Sequence, residues 1–415
     1  MRKPVTVFKR SGFSVQALSL LGVTFCLAGP VQADGVVDWN ETATDITVSV
    51  IKSPAMGNHV LAMVQTAVYE ATNAVTHQYP ISRFGVQPVS DASVEAAIAA
   101  ANHAMLLRLI PKQKAKIDAA YAVALERIPA GAAKDAGIAT GKRAEKAVSR
   151  WRQALPYQKA APYRPITSPG VYIPTAGVAG PGWGSRPTWV LPSASALRPP
   201  PPPSLTSETW AKDYQEVLLV GAKESAKRTD DQTEMALFWS ATVPSIYYPI
   251  VRSVARMEGR ELTRNARLFA AAGQAMDDAL VSVFEAKYFH RFWRPITAIR
   301  NGDIDGNEGT ERVASWTPLI KTPMHPEYPC AHCIVAGAIA GVLNADLGDT
   351  PSPRLETVSP NLPGVTRQWH SPDEFAQEVS DARIFDGVHY RTSAIVGNQM
   401  GKQIGMMAAE KAVSP

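Results

Sequence analysis

Apolar residues recur at helical spacing along most of the chain. Val60, Met63, Val64, Ala67, Val68, Ala71 and Val75 follow the i, i+3, i+4 rule and predict a helix from His59 with one buried face. Ser93 to Leu109 is alanine-rich and predicts a helix up to Pro111, and residues 112–127 and 130–152 predict two more. Residues 34–58 read instead as an extended, polar lead-in. Ser207 caps a helix carrying Trp210, Tyr214, Val217 and Leu218, and Thr229 caps another carrying Met235, Ala236, Phe238 and Trp239. Residues 262–292 read as one long helix or two abutting ones, and no convincing series of alternating strands emerges. The expected fold class is all-α: a large antiparallel helical bundle.

Residues 156–203 break the pattern. Proline and glycine dominate there, ending in five prolines, Pro199 to Pro203, which excludes helix and central strand. A flexible linker would be polar and rich in glycine and serine. This segment carries Tyr163, Tyr172, Trp183, Trp189 and Leu191, which predicts an extended strap packed on one body rather than a joint between two. Long loops are expected beside it, around the active site.

The formal charge of +5 changes little, because Arg2, Lys3, Lys9 and Arg10 supply four of those charges and no acid precedes Asp34. The remainder is close to neutral, so no nucleic-acid partner is expected. Those four cations lead into an apolar run, Val15 to Gly29, with Val31 and Ala33 placed for cleavage before Asp34. Residues 1–33 therefore read as a secretory signal peptide, and residues 34–415 as a single catalytic domain, secreted or periplasmic. The run is shorter than the roughly 20 residues that span a bilayer, and no later segment is apolar enough to cross one.

Candidate chemistry lies in the last third. Tyr328-Pro329-Cys330-Ala331-His332-Cys333 runs into a helix of small and aliphatic residues. The first N–H groups of such a helix lack internal partners, and its dipole favours an anion. Lys287 and Arg294 are seven apart, which on one helix points both cations the same way, and Pro295 then stops or kinks it. Arg383 and His389 are six apart with Gly387 between them, so Arg383 is expected to end a loop and His389 to begin the next helix. Three cations, two histidines and a helix N-terminus match a multiply charged oxyanion. One histidine would bond its central atom and the other would shuttle protons. That division of labour suits phosphoryl transfer through a phosphohistidine and equally suits vanadate held by one imidazole.

The motifs Lys287…Arg294-Pro295, Pro329-Cys330-Ala331-His332 and Arg383…Gly387…His389 resemble the signature shared by vanadium-dependent haloperoxidases and type 2 phosphatidic acid phosphatases. The helix after His59, the proline-rich strap, Arg228 to Gln232 and Asp277-Asp278-Ala279 are similar to the soluble, secreted haloperoxidase-like branch. The resemblance implies that His389 binds vanadate, or is the nucleophile in a phosphatase, and that His332 is the acid–base group. Lys287, Arg294 and Arg383 would hold the oxyanion with Cys330 and Ala331, and Lys287 would also polarise peroxide. Small-molecule substrates follow: hydrogen peroxide and halide with vanadate as cofactor, or a phosphomonoester with none.

Two departures qualify this. Cys330-Ala331 stands where the signature has Ser-Gly, and a thiol is a weaker donor than a hydroxyl. The acid that many phosphatases carry four residues after the ligand histidine is Ser393 here, with Asp386 the nearest acid considered. Cys330 and Cys333 also admit a bracing disulfide, a Cys-x-x-Cys redox site, or zinc binding with His325 and His332. A non-catalytic member of the fold is the remaining alternative.

Overall fold

A computed structural model describes residues 34–156, 162–174, 177–412 and 414. The signal-peptide reading of residues 1–33 lies outside them. The described residues hold thirteen α-helices and one two-stranded hairpin. Helix α1 (Gly35–Val50) replaces the expected extended lead-in. Val36, Val37, Ala43 and Ile46 form its buried face, and the Asp34 carboxylate caps it by accepting from the N–H groups of Val36 and Val37. The polar residues that disguised it are buried too. Thr44 donates to the Asn40 carbonyl, and Arg252 donates to the Asn40 side chain.

Helices α2 (Pro54–Thr76), α3 (Val94–Leu109), α4 (Lys114–Glu126) and α5 (Ala132–Ala154) fall where the periodicity puts them. Ser53 and Ser93 cap α2 and α3. Helix α2 is buried over nearly its whole circumference, between α3, α5 and α9 (Leu262–His290). Next come α6 (Glu208–Val220), capped by Ser207, and α7 (Asp230–Phe238), opened by a reciprocal Thr229–Gln232 capping box. Helix α8 (Pro244–Ala255) has no counterpart in the sequence reading. Its Pro244 occupies the first turn, where the missing N–H costs nothing.

The chain closes with α10 (Pro295–Ile299), α11 (Ala331–Leu347), the hairpin β1 (Leu355–Ser359) and β2 (Leu362–Trp369), α12 (Pro372–Phe385) and α13 (Arg391–Lys411). The fold is helical, as expected; the antiparallel hairpin is the exception. Strand β1 turns Leu355, Thr357 and Ser359 inward and leaves Val358 exposed. Thr357 donates to the Ile246 carbonyl of α8, and Ser359 to the Phe238 carbonyl of α7. A strand that buries hydroxyls and exposes valine hides from a search for alternating hydrophobics.

The described parts of the strap are packed on the body. Backbone bonds join Tyr172 N–H to Arg291 O at 2.7 Å and Trp293 N–H to Gly170 O at 3.0 Å. Farther along, the buried Asp278 carboxylate accepts from the N–H groups of Trp189, Val190 and Leu191. Asp277, one residue earlier on α9, accepts from the Trp189 indole and from His59. The aspartate pair that figured in the resemblance thus pins the strap.

Candidate oxyanion-binding active site

Helices α11 and α13 approach along glycines. Gly397, Gly401 and Gly405 repeat every fourth residue on α13 and pack against Cys330, Ile334 and Gly341 at the start of α11 and along it, while Gly337 of α11 meets Asn398 of α13. A Cβ at Gly401 would overlap the Ile334 carbonyl, and one at Gly337 the Asn398 carbonyl. This close crossing sets the start of α11, with His332 in its first turn, beside the segment that leads into α13, with His389. The N–H groups of Ala331 and His332 open α11 and have no intrahelical acceptor.

Cys330 is the N-cap of α11 and is disulfide-bonded to Cys333. A paired sulfur carries no proton, so the thiol donor expected of Cys330 is absent. Its Sγ instead accepts from the Cys333 N–H at 3.2 Å. Among the described residues, no three His, Cys, Asp or Glu side chains gather as metal ligands, and Cys330 has no βαβ setting around it.

Lys287 and Arg294 reach the site, but not by sharing a helix. Helix α9 ends at His290, Arg291 turns the chain with φ 55°, and Arg294 is the extended cap residue before α10. Lys287 is fully buried near the end of α9, and its Nζ donates to the Pro326 and Glu327 carbonyls at 3.0 and 2.6 Å. Arg294 donates to His325 O, Val388 O and His325 Nδ1, and its NH1 lies 3.2 Å from His389 Nε2. Arg383 stands in the last turn of α12 rather than at the end of a loop. It pairs with Asp386 at 2.5 Å and donates to Trp239 O. Gly387, at φ 81°, turns the chain so that the His389 N–H bonds the Arg383 carbonyl.

The acid that serves His389 is Glu327, not Asp386. His389 Nδ1 lies 2.6 Å from Glu327 Oε1, which also accepts from the Tyr390 N–H. A guanidinium only donates, so Arg294 requires His389 Nε2 to be an acceptor, and the ring proton belongs on Nδ1 facing Glu327. A histidine held this way offers its Nε2 lone pair to a ligand. Glu327 is a candidate site residue to which spacing assigned no role. Its only signal was a carboxylate two residues before Pro329, inside the motif's own loop.

Burial and the three cations set the electrostatics. Burial lowers the Lys287 pKa far below its usual range, with Arg294 pushing the same way, and lowers Arg294 to about 10. Burial also raises Glu327 and Asp386 to about 7, against the pull of neighbouring cations. His332 and His389 are held well below the ordinary value, first by burial and then by the three cations, which keeps both rings neutral. Three buried cations face two such carboxyls, so the site has surplus positive charge that an anion would offset. Several buried polar atoms here have no hydrogen-bond partner as well, among them His332 Nε2, Arg383 Nε and Glu327 Oε2. A donor set of this kind, with His389 Nε2 bonded only to Arg294 and His332 Nε2 unpartnered, fits vanadate or phosphate.

The chain is similar to several known proteins. The family model of the VCPO second helical-bundle domain matches residues 267–415, which include all the residues of this site. A vanadium chloroperoxidase of Curvularia inaequalis is 25% identical over 230 residues, covering 42% of this chain and 38% of that protein. The chain thus aligns with well under half of that relative's length. The crystal structure of the first bacterial vanadium-dependent iodoperoxidase superposes with a TM-score of 0.74 at 23% identity, over 91% of this chain and 96% of that one. A holo-type bacterial vanadium-dependent chloroperoxidase gives 0.69 at 17% identity, over 89% and 92%. These two structures establish the shared fold.

Proposed function

We propose that this chain, a vanadium-haloperoxidase-like member of the superfamily that also contains type 2 phosphatidic acid phosphatases, is a vanadium-dependent haloperoxidase. The observation that carries the reading is His389, oriented by Glu327, with its Nε2 turned towards Arg294 in a buried ring of cations. His389 Nε2 would ligate vanadate, and Lys287, Arg294 and Arg383 would hold its oxygens with the N–H groups that open α11. Bound vanadate supplies a Lewis acid that activates hydrogen peroxide for attack by halide. Lys287, with two of its three protons already given to carbonyls, keeps one donor for the anion. His332 Nε2, neutral and without a partner, accepts a proton from what binds and returns it to the leaving oxygen. An anion would offset the field of the cations and so raise the basicity of that nitrogen, which favours the transfer.

The full chain supplied with vanadate, bromide and hydrogen peroxide is expected to brominate monochlorodimedone, and His389→Ala to abolish it. No bromination by correctly folded, vanadate-loaded protein would overturn the reading. A phosphatase acting through a phosphohistidine is not favoured, because the relatives above are haloperoxidases. Export is part of the same proposal. The exported protein is expected to begin at Asp34, as N-terminal sequencing would read.

A further inference from the structure

Arg294 is only 1% exposed, yet it has open space beside it as well as His389. It lines a cleft of about 410 Å³ between the strap and the 318–324 loop. That volume falls within the range of roughly 300–1,000 Å³ typical of small-molecule sites. One part of the lining is apolar, with Ile173, Ile296 and Ile320. Lys223 and Lys321 also line it, both exposed, and no acidic residue does. Neither ammonium has an ion pair among the described residues, so each is available to an incoming anion. Tyr172 lies on the lining too, only 3% exposed, and its hydroxyl is buried with no hydrogen-bond partner.

Each feature narrows the occupant. A halide or peroxide gains nothing from an apolar wall, and a neutral organic molecule gains nothing from two unpaired lysines. An unpartnered phenol hydroxyl beside Arg294 suits a polar oxygen at the inner end. We propose that this cleft seats the organic substrate, a small phenolic acid whose carboxylate meets Lys223 and Lys321 and whose phenol points to Tyr172 and Arg294. The inference rests on the haloperoxidase reading for its chemistry. Halide, hydrogen peroxide and one proton give hypohalous acid and water. An electron pair of the phenol ring then forms the carbon–halogen bond as the halogen–oxygen bond breaks. The departing hydroxide takes the ring proton and leaves as a second water. Held here, the ring meets the oxidant before it escapes to solvent.

Binding tests the cleft without turnover. The full chain without vanadate is titrated with p-hydroxyphenylacetate and with its neutral alcohol counterpart, tyrosol. Two partly screened charge contacts predict roughly tenfold tighter binding of the acid. Lys223→Glu/Lys321→Glu, which changes only exposed positions, is expected to erase that preference, and Tyr172→Phe to weaken both ligands. Equal binding of acid and alcohol, or a preference that survives the double substitution, overturns the proposal. In turnover, an equimolar mixture with bromide and peroxide is expected to yield a product ratio shifted about tenfold towards the acid relative to free hypobromous acid. A ratio equal to that of the free reagent overturns it as well. Absence of bromination in every arm would sink the haloperoxidase reading, and the binding comparison would still decide the cleft.

Discussion

Glu327→Gln isolates one charge. The amide keeps the size of the side chain, and its oxygen can still accept from His389 Nδ1 and the Tyr390 N–H. Only the negative charge 2.6 Å from Nδ1 is lost. Carboxylates behind a metal-binding histidine raise its basicity, and removing one weakens metal affinity roughly 10- to 100-fold, or about 1.4–2.7 kcal/mol. The effect here must depend on pH. Burial raises Glu327 to about 7, so in the ligand-free protein its charge is absent at lower pH and gained as pH rises through that value. At about pH 5.5 the neutral acid and the amide are near equivalents, and the two proteins should bind vanadate within a few-fold of each other. At about pH 8.5 the wild-type carboxylate is ionised, and the ratio should reach its full value. The protonation of vanadate itself changes over this range, but it cancels in the ratio. Equilibrium dialysis of vanadate against both proteins reads it directly. A ratio near one at the higher pH, or a ratio that does not change with pH, would refute the role assigned to Glu327.

Three further outcomes are expected. His332→Ala should leave vanadate affinity within a few-fold but lower kcat for bromide oxidation by about 10²- to 10⁴-fold, the usual worth of a positioned acid–base group; an unchanged kcat would remove His332 from the chemistry. Glu70, buried beside Ser82, is raised from 4.5 to about 7 mainly by burial. A raised carboxyl stabilises the fold below its unfolded pKa and loses that contribution as pH rises through the folded one, here up to about 3 kcal/mol. Glu70→Gln should therefore flatten the stability profile over that interval in urea titrations, and parallel profiles would contradict it. Gly401→Ala adds a methyl group that meets backbone at the α11–α13 crossing. Overpacking costs roughly 1–3 kcal/mol or more and helix propensity returns about 1, so calorimetry should show a lower Tm.

Much of the helical framework was written in local pattern. The buried face of α2, the spans of α3 and α9 and the caps Ser207 and Thr229 were legible because each depends on neighbours within a few residues. The exceptions share a cause. Helix α1 and strand β1 bury polar side chains whose partners, such as Arg252 and the carbonyls of α7 and α8, lie a hundred or more residues away. Without those partners in view, Asn40, Thr357 and Ser359 read as surface.

The site divides the same way. The sequence by itself singled out Lys287, Arg294, His332, Arg383 and His389 as candidates through motif spacing, and all five are buried in the structure. It gave the wrong reason for one, because Arg294 reaches the pocket through a turn and not along a shared helix face. Tertiary structure alone decided that Glu327 serves His389, that Asp386 belongs to Arg383, and that Arg294 also opens on a cleft bearing Lys223 and Lys321. The physical reason is that periodicity encodes which face of an element is buried, whereas a hydrogen bond or an ion pair depends on where another element lies. At this site that placement comes from the glycine contact of α11 with α13, where two backbones meet too closely for a side chain between them.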